Sequence, residues 1–151
     1  APQQILDDLP NLEAAIDAKS NGGYLLVGRR HLRSNNSWMH NIDVLVEGRD
    51  RCTLLIHPDD AAALRIEDGH MAEVASAAGK VVAPVEVTED IMVGVVSLPH
   101  GWGHDREGMA TSVAAARPGV NSNILSDETD LDPLSGNATL NAIPVTVSAA
   151  G

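Results

Sequence analysis

The chain has no phenylalanine, one tyrosine and two tryptophans in 151 residues. Its apolar fraction of 44% must therefore come from valine, isoleucine, leucine and alanine, a set suited to strands packed around a small core. Cysteine is nearly absent as well. With Cys52 alone, no disulfide can close within the chain and no cysteine cluster can hold zinc or an iron–sulfur centre. Basic residues are few, 10 against 21 acidic ones, and a net charge of −11 excludes the basic excess that nucleic-acid binding needs. No apolar run reaches the length of a membrane span and no secretory leader is visible, so the expected compartment is the cytoplasm.

What is present points to strands and turns. The 13 glycines and 8 prolines, with the bias to valine and isoleucine, fit short strands joined by tight connections, in one domain large enough for a proper core. The division expected is a helical linker over 1–21 and a β domain over 22–151. The chain starts at Ala1, and its acidic first segment reads as a linker within a longer protein. Over 5–18 the residues Ile5, Leu9, Leu12, Ala15 and Ile16 share one side of a helix, and Pro10 predicts a bend between two turns.

The strands predicted are 24–27, 51–56, 70–77, 80–88, 91–98 and 142–148, with Ala78-Gly79 closing a hairpin and 43–48 either strand or loop edge. A turn covers 19–23. His57-Pro58-Asp59-Asp60 opens a short helix: Pro58 sits where no donor is needed, and the aspartates face the positive end of the helix dipole. About six strands with connections too short for repeated βαβ crossovers predict a mainly β fold, a small closed barrel with a few short helices.

One stretch changes character abruptly. After Gly28, thirteen residues supply Arg29, Arg30, Arg33, His31, His40, Ser34, Ser37, Asn35, Asn36 and Asn41 without a single acid, broken only by Leu32, Trp38 and Met39. Guanidinium forks, amides, hydroxyls and one large flat ring are the inventory for a planar, phosphorylated ligand, and equally that of a solvated basic loop. In an acidic chain such an island suits a small anion better than a polyanion. Two further polar segments lie next to strands: 99–105, which reads Pro-His-Gly-Trp-Gly-His-Asp, and 120–136, with Asn121, Asn123, Ser126 and the acidic cluster Asp127 to Asp132. His100 and His104 have a metal-ligand spacing only on a helix, which Gly101 and Gly103 oppose; the glycines better serve close backbone approach to a ligand beside Trp102. The acidic cluster lacks the loop pattern of an EF-hand and reads as solvated. No dinucleotide-binding glycine fingerprint, phosphate-binding lysine loop or nucleophile elbow occurs. No residue is assigned a catalytic or metal-ligating role.

Four blocks in order carry a resemblance. Leu-Leu-Val-Gly-Arg-Arg-His-Leu-Arg-Ser-Asn-Asn-Ser-Trp, then Ile-His-Pro-Asp-Asp-Ala-Ala-Ala-Leu-Arg-Ile-Glu-Asp-Gly, then Val-Ser-Leu-Pro-His-Gly-Trp-Gly-His, then Asn-Ile-Leu-Ser through Asp-Pro-Leu-Ser-Gly, are similar to the C-terminal molybdopterin-dinucleotide-binding domain of the dimethyl-sulfoxide-reductase family, which includes formate dehydrogenases and nitrate reductases. The resemblance spans about 22–148. It implies a six-stranded double-psi β-barrel that binds molybdopterin guanine dinucleotide of a molybdenum or tungsten bis-pterin centre, the metal being ligated outside this chain. It implies that Arg29, His31, Arg33, Ser34, Asn36, Ser37 and Trp38 hold pterin and pyrophosphate. His100, Gly101, Trp102 and His104 would lie beside the cofactor, and Asn123 and Asp132 would add amide and carboxylate contacts. A lysine common near the end of the last block is missing, with Asn141 nearby. The implied partners are the remaining domains of a parent oxidoreductase, which would hold the catalytic residues. The alternative is a non-catalytic barrel of the same architecture acting as a binding module or adaptor.

Overall fold

The computed structural model describes residues 1–17 and 23–151. The predicted turn over 19–23 and the boundary between linker and barrel fall largely outside these residues. Helix α1 (Gln3–Asp17) runs through Pro10, where a bend is expected; the proline removes one donor, and the turns on either side continue. Ile5, Leu9 and Leu12 on its apolar side are exposed.

Six strands, β1 (Tyr24–Arg29), β2 (Leu54–Ile56), β3 (Met71–Ala75), β4 (Lys80–Val87), β5 (Val95–Pro99) and β6 (Ile143–Ala149), close into a barrel in the order β1-β5-β2-β4-β3-β6. Two pairs are parallel. β1 runs beside β5 from Leu25 opposite Val95 to Arg29 opposite Pro99, and β2 beside β4 from Leu54 opposite Val85. β6 closes the ring against β1 and β3, antiparallel to both. This is the mainly β, closed six-stranded barrel with a few short helices that the strand count and the resemblance imply. The parallel pairing has a consequence for function. β1 and β5 both end at the same mouth, so the polar loops that follow them start side by side.

Alternation decides which side chains fill the barrel. In β4, Val81, Ala83 and Val85 are buried; in β3, Ala72 and Val74; in β6, Val145 and Val147. Leu26, Leu54, Ile56, Ala61, Ile66, Val96, Leu98 and Leu125 join them in the core, with no aromatic residue among the buried members described.

Helix α3 (Pro58–Leu64) begins as the sequence predicts: the His57 ring accepts from the Asp59 N–H, Pro58 opens the first turn, and Arg65 ends it at φ 58°. Asp60 on its inner side is buried, and its carboxylate accepts from the Gly94 N–H at 2.7 Å. That contact and the positive φ of Gly94 explain why the expected strand over 91–98 starts only at Val95. Residues 43–48 correct the reading as strand or loop edge: α2 (Asp43–Val46) is a helical turn. The Arg51 and Arg117 guanidinium groups donate to carbonyls at its end, Arg51 to Leu45 and Glu47, Arg117 to Val46 and Gly48. These partners lie 71 and 69 residues away for Arg117, so the α2 turn is made by tertiary contacts that a local pattern does not show. A second helical turn, α4 (Ser112–Ala115), takes its N-terminal cap from Asn41, whose amide oxygen accepts from the N–H groups of Val113 and Ala114 at 3.0 and 3.1 Å.

Candidate functional site

The three polar segments meet. The loop after β1 and the turn after β5 touch so closely that a Cβ on Gly101 would lie 2.3 Å from the Asn36 carbonyl oxygen. Gly103 in turn abuts Asn121, which precedes the 3₁₀ turn Ser122–Leu125; a Cβ there would come within 2.6 Å of the Asn121 side chain. Gly101 and Gly103 have φ of +90° and +107°, so glycine is required at both for conformation and for space.

Between these segments lies a cleft of about 130 Å³. Leu26, Leu98, Leu140 and Ile143 form apolar walls, and Arg30, His100, Ser122, Asn123, Ser126 and Asn141 bring polar groups to it. No acid lines it. The Asn141 amide oxygen accepts from the Gly28 N–H at 2.9 Å, which turns its NH₂ group outward from that bond as a free donor. The His100 N–H donates to the Arg29 carbonyl at 3.0 Å, fixing the start of the second turn to the end of the first strand.

The residues named from the sequence separate into three groups. His100, Asn123 and Arg29 line the cleft, while Gly101, Asn36 and Ser37 build the contact beside it. The Asn36 amide oxygen accepts from Arg30 at 3.2 Å. Arg33 and Trp38 stand on the exposed face of the loop, and among the described residues the Arg33 guanidinium has no hydrogen-bond or ion-pair partner. His31 is half-buried, its Nδ1 3.4 Å from the Arg33 N–H. Its pKa is lowered by burial and then by the nearby positive charges of Arg51, Arg29, Arg49 and Arg33.

Other expected ligands are committed within the protein. The Arg29 guanidinium donates to the Ser97 carbonyl at 2.6 Å and to the carbonyl and hydroxyl of Thr53 at 2.7 and 3.0 Å. It ties β1 to β5 and to the segment that leads into β2. Ser34, Trp102 and His104 are buried around His40. Asp132 does not line the cleft; its carboxylate accepts from the Ser135 N–H at 2.8 Å and shapes its own turn. Among the described residues no group of three metal-ligating side chains comes together.

The cleft also takes in Arg30 and Ser126, which the sequence marks only as members of the polar segments, Asn141, which it marks only by its place near the last block, and Ser122, which it does not mark. His40 lies outside the cleft; the sequence shows it in the polar run, but its pairing with His104, 64 residues away, has no local signal.

A sequence profile described as the molydopterin dinucleotide binding domain matches residues 24–144, most of the chain and all three loops. The chain belongs to this family. Its cofactor is a molybdopterin guanine dinucleotide. Trimethylamine-N-oxide reductase from Haemophilus influenzae is 45% identical over 56 residues, which are 37% of this chain and 7% of that protein. Dimethyl sulfoxide/trimethylamine N-oxide reductase from Rhodobacter capsulatus is 40% identical over 60 residues, 40% of this chain and 7% of its relative. A formate dehydrogenase alpha subunit from Methanocaldococcus jannaschii is 37% identical over 70 residues, 46% of this chain and 10% of that one. The matched region is thus at most a tenth of each of these curated relatives. Acetylene hydratase from Pelobacter acetylenicus has a similar fold, with a TM-score of 0.70 and 20% identity over 95% of this chain and 20% of that chain.

The residues present fit such a group. Among the described residues, the Arg33 guanidinium of the loop beside the cleft has no hydrogen-bond or ion-pair partner and is suited to a phosphate, and no carboxylate lines the cleft to repel an anion.

Proposed function

We propose that this chain is the dinucleotide-holding domain of a larger molybdenum or tungsten oxidoreductase, docked against that enzyme's other domains. The observation that carries this reading is the meeting of three separated polar segments at one acid-free cleft. Bound there, the metal–pterin centre would supply the redox chemistry. This chain's residues bind and orient. Arg33 and Arg30 would offset pyrophosphate charge through forked hydrogen bonds. Asn123, Asn141, Ser122 and Ser126 would read a heterocycle edge by donating and accepting hydrogen bonds, with Leu140 and Ile143 against its face. Arg29 sets the spacing of the strands beneath and leaves contact with the ligand to its neighbours.

The test is an NMR titration of the chain with a pterin or guanine dinucleotide. Amide and side-chain signals of Arg30, Arg33, Asn123 and Asn141 should shift together, while those of the β3–β4 hairpin stay still. A flat titration at all four would exclude the reading and favour the adaptor.

A further inference from the structure

Four side chains that the cleft does not use form the most buried polar cluster of the barrel mouth. His40 is 2% exposed, Ser34 2%, His104 8% and Trp102 9%. His40 Nδ1 lies 2.7 Å from His104 Nε2, and its Nε2 lies 2.8 Å from the Ser34 hydroxyl. Its ring stacks on Trp102 with centroids 3.9 Å apart and planes 29° from parallel. One imidazole belongs to the loop after β1 and the other to the turn after β5, so this bond spans the two segments that frame the cleft. It is not a vacant metal site. Two imidazoles on a tetrahedral zinc, each at about 2.0–2.1 Å, would hold their nitrogens roughly 3.3 Å apart.

We propose that His40 and His104 are positioning residues: their shared hydrogen bond latches the polar loop to the His100–His104 turn, and proton uptake by the pair in acid opens the latch.

The proton count follows from the inventory of a neutral imidazole, one donor and one acceptor. In the neutral pair, one ring gives a proton to the other, and Ser34 completes the chain as donor or acceptor. A first added proton preserves the bond, since His40 can donate from both nitrogens to His104 and Ser34. A second places an N–H on each of two nitrogens 2.7 Å apart. That contact is repulsive, and one ring must swing away.

The surroundings make charging costly. Burial lowers the pKa of His40 to about 4, with His104, Arg51 and His31 acting in the same direction and a backbone bond to Gly101 acting against them. His104 is lowered by burial, with Asp105 opposing. At neutral pH the latch is therefore closed. The dinucleotide reading enters only in what the latched loops hold; the coupling of the loops can be observed without ligand.

The test uses the full 151-residue chain without cofactor, labelled with ¹⁵N. Ring signals of His40 and His104 should titrate as a coupled pair below the ordinary imidazole range. Amides of 34–40 and 100–104 should move with the second, more acidic of the pair's two steps. His40→Phe keeps a ring on Trp102 but removes both hydrogen bonds, and should speed amide exchange in both segments roughly tenfold at neutral pH, a factor equivalent to about 1.4 kcal/mol. His40→Gln keeps a hydrogen-bonding group that does not titrate and should abolish the acid transition of the loop amides. Independent titration of the two rings near pH 6.5 would overturn the latch, as would ring titration with motionless loop amides. Unchanged exchange in His40→Phe would reduce the pair to packing. The wild-type titration needs no variant to fold. A wild-type chain that shows the coupled transition yet ignores a pterin dinucleotide would overturn the assigned ligand and leave the latch standing.

Discussion

The Arg29 guanidinium is bonded to the Thr53 carbonyl at 2.7 Å, joining the end of β1 to the segment that leads into β2. A second arm reaches the Ser97 carbonyl of β5. An arginine at the head of a basic loop thus works as a strand tie. Its pKa is lowered by burial, an effect that Glu86 partly offsets. Arg29→Met should leave these carbonyls without a charged donor and cost about 2 kcal/mol. Thermal unfolding measures this: a drop of several degrees is expected, against almost none for Arg30→Met on the exposed side.

Gly101 and Asn36 make a second relationship on which the site depends. An alanine at 101 would meet the Asn36 carbonyl oxygen at 2.3 Å and also carry a φ of +90°. At Gly136, φ is +69° and nothing lies within 4 Å of the added methyl. Gly136→Ala should therefore show only the left-handed cost, about 1 kcal/mol, whereas Gly101→Ala adds displacement of the loop and should cost about 3 kcal/mol. Denaturant unfolding of the two variants separates conformation from contact. Equal losses would mean that the loop yields freely.

The barrel was legible because its signals are local. The Ala78-Gly79 hairpin, the Pro58 helix start and the run into Leu54 and Ile56 each declare themselves within a few residues, and alternation then says which side is core. The polar loop after Gly28 was visible for the same reason, as a sudden absence of acids. What failed to show was the division of labour inside that loop. Arg29, Arg30 and Arg33 look alike in sequence. Only the register of β1 beside β5 turns Arg29 towards Ser97 and leaves Arg33 outside. The role of His40 does not show in the polar run because, although Ser34 is only six residues away, its bond to His104 and its stacking on Trp102 form only when the chain closes over 64 residues. Likewise 43–48 reads as strand or loop edge until Arg51 and Arg117 hold it as a helical turn.

Stability should fall in mild acid for a reason that can be traced to one side chain. In the unfolded chain His40 takes up a proton near pH 6.5, whereas in the fold its pKa is about 4. Between these values the unfolded state binds more protons, so stability is complete above pH 6.5 and declines as pH drops towards 4. His104, also lowered, acts in the same direction. Urea unfolding across pH 4 to 7 should show a decline in wild type that is clearly shallower in His40→Gln. Identical slopes would assign acid sensitivity to other groups.

Arg33 supplies the sharpest separation of binding from folding. Its side chain is exposed and makes no hydrogen bond or ion pair among the described residues, so Arg33→Ala should change stability by less than about 0.5 kcal/mol. Against a pyrophosphate, the lost fork of charge-assisted bonds is worth about 1.5–3 kcal/mol, or roughly ten- to a hundredfold in affinity. Arg33→Lys keeps the charge but not the planar fork and should recover only part of the loss. The measurement is metal and pterin content after purification of the holoenzyme carrying each variant, beside a melting curve of the same sample. Full cofactor content in Arg33→Ala would remove this arginine from the binding set and shift the anion-holding role to Arg30, the cation already at the cleft.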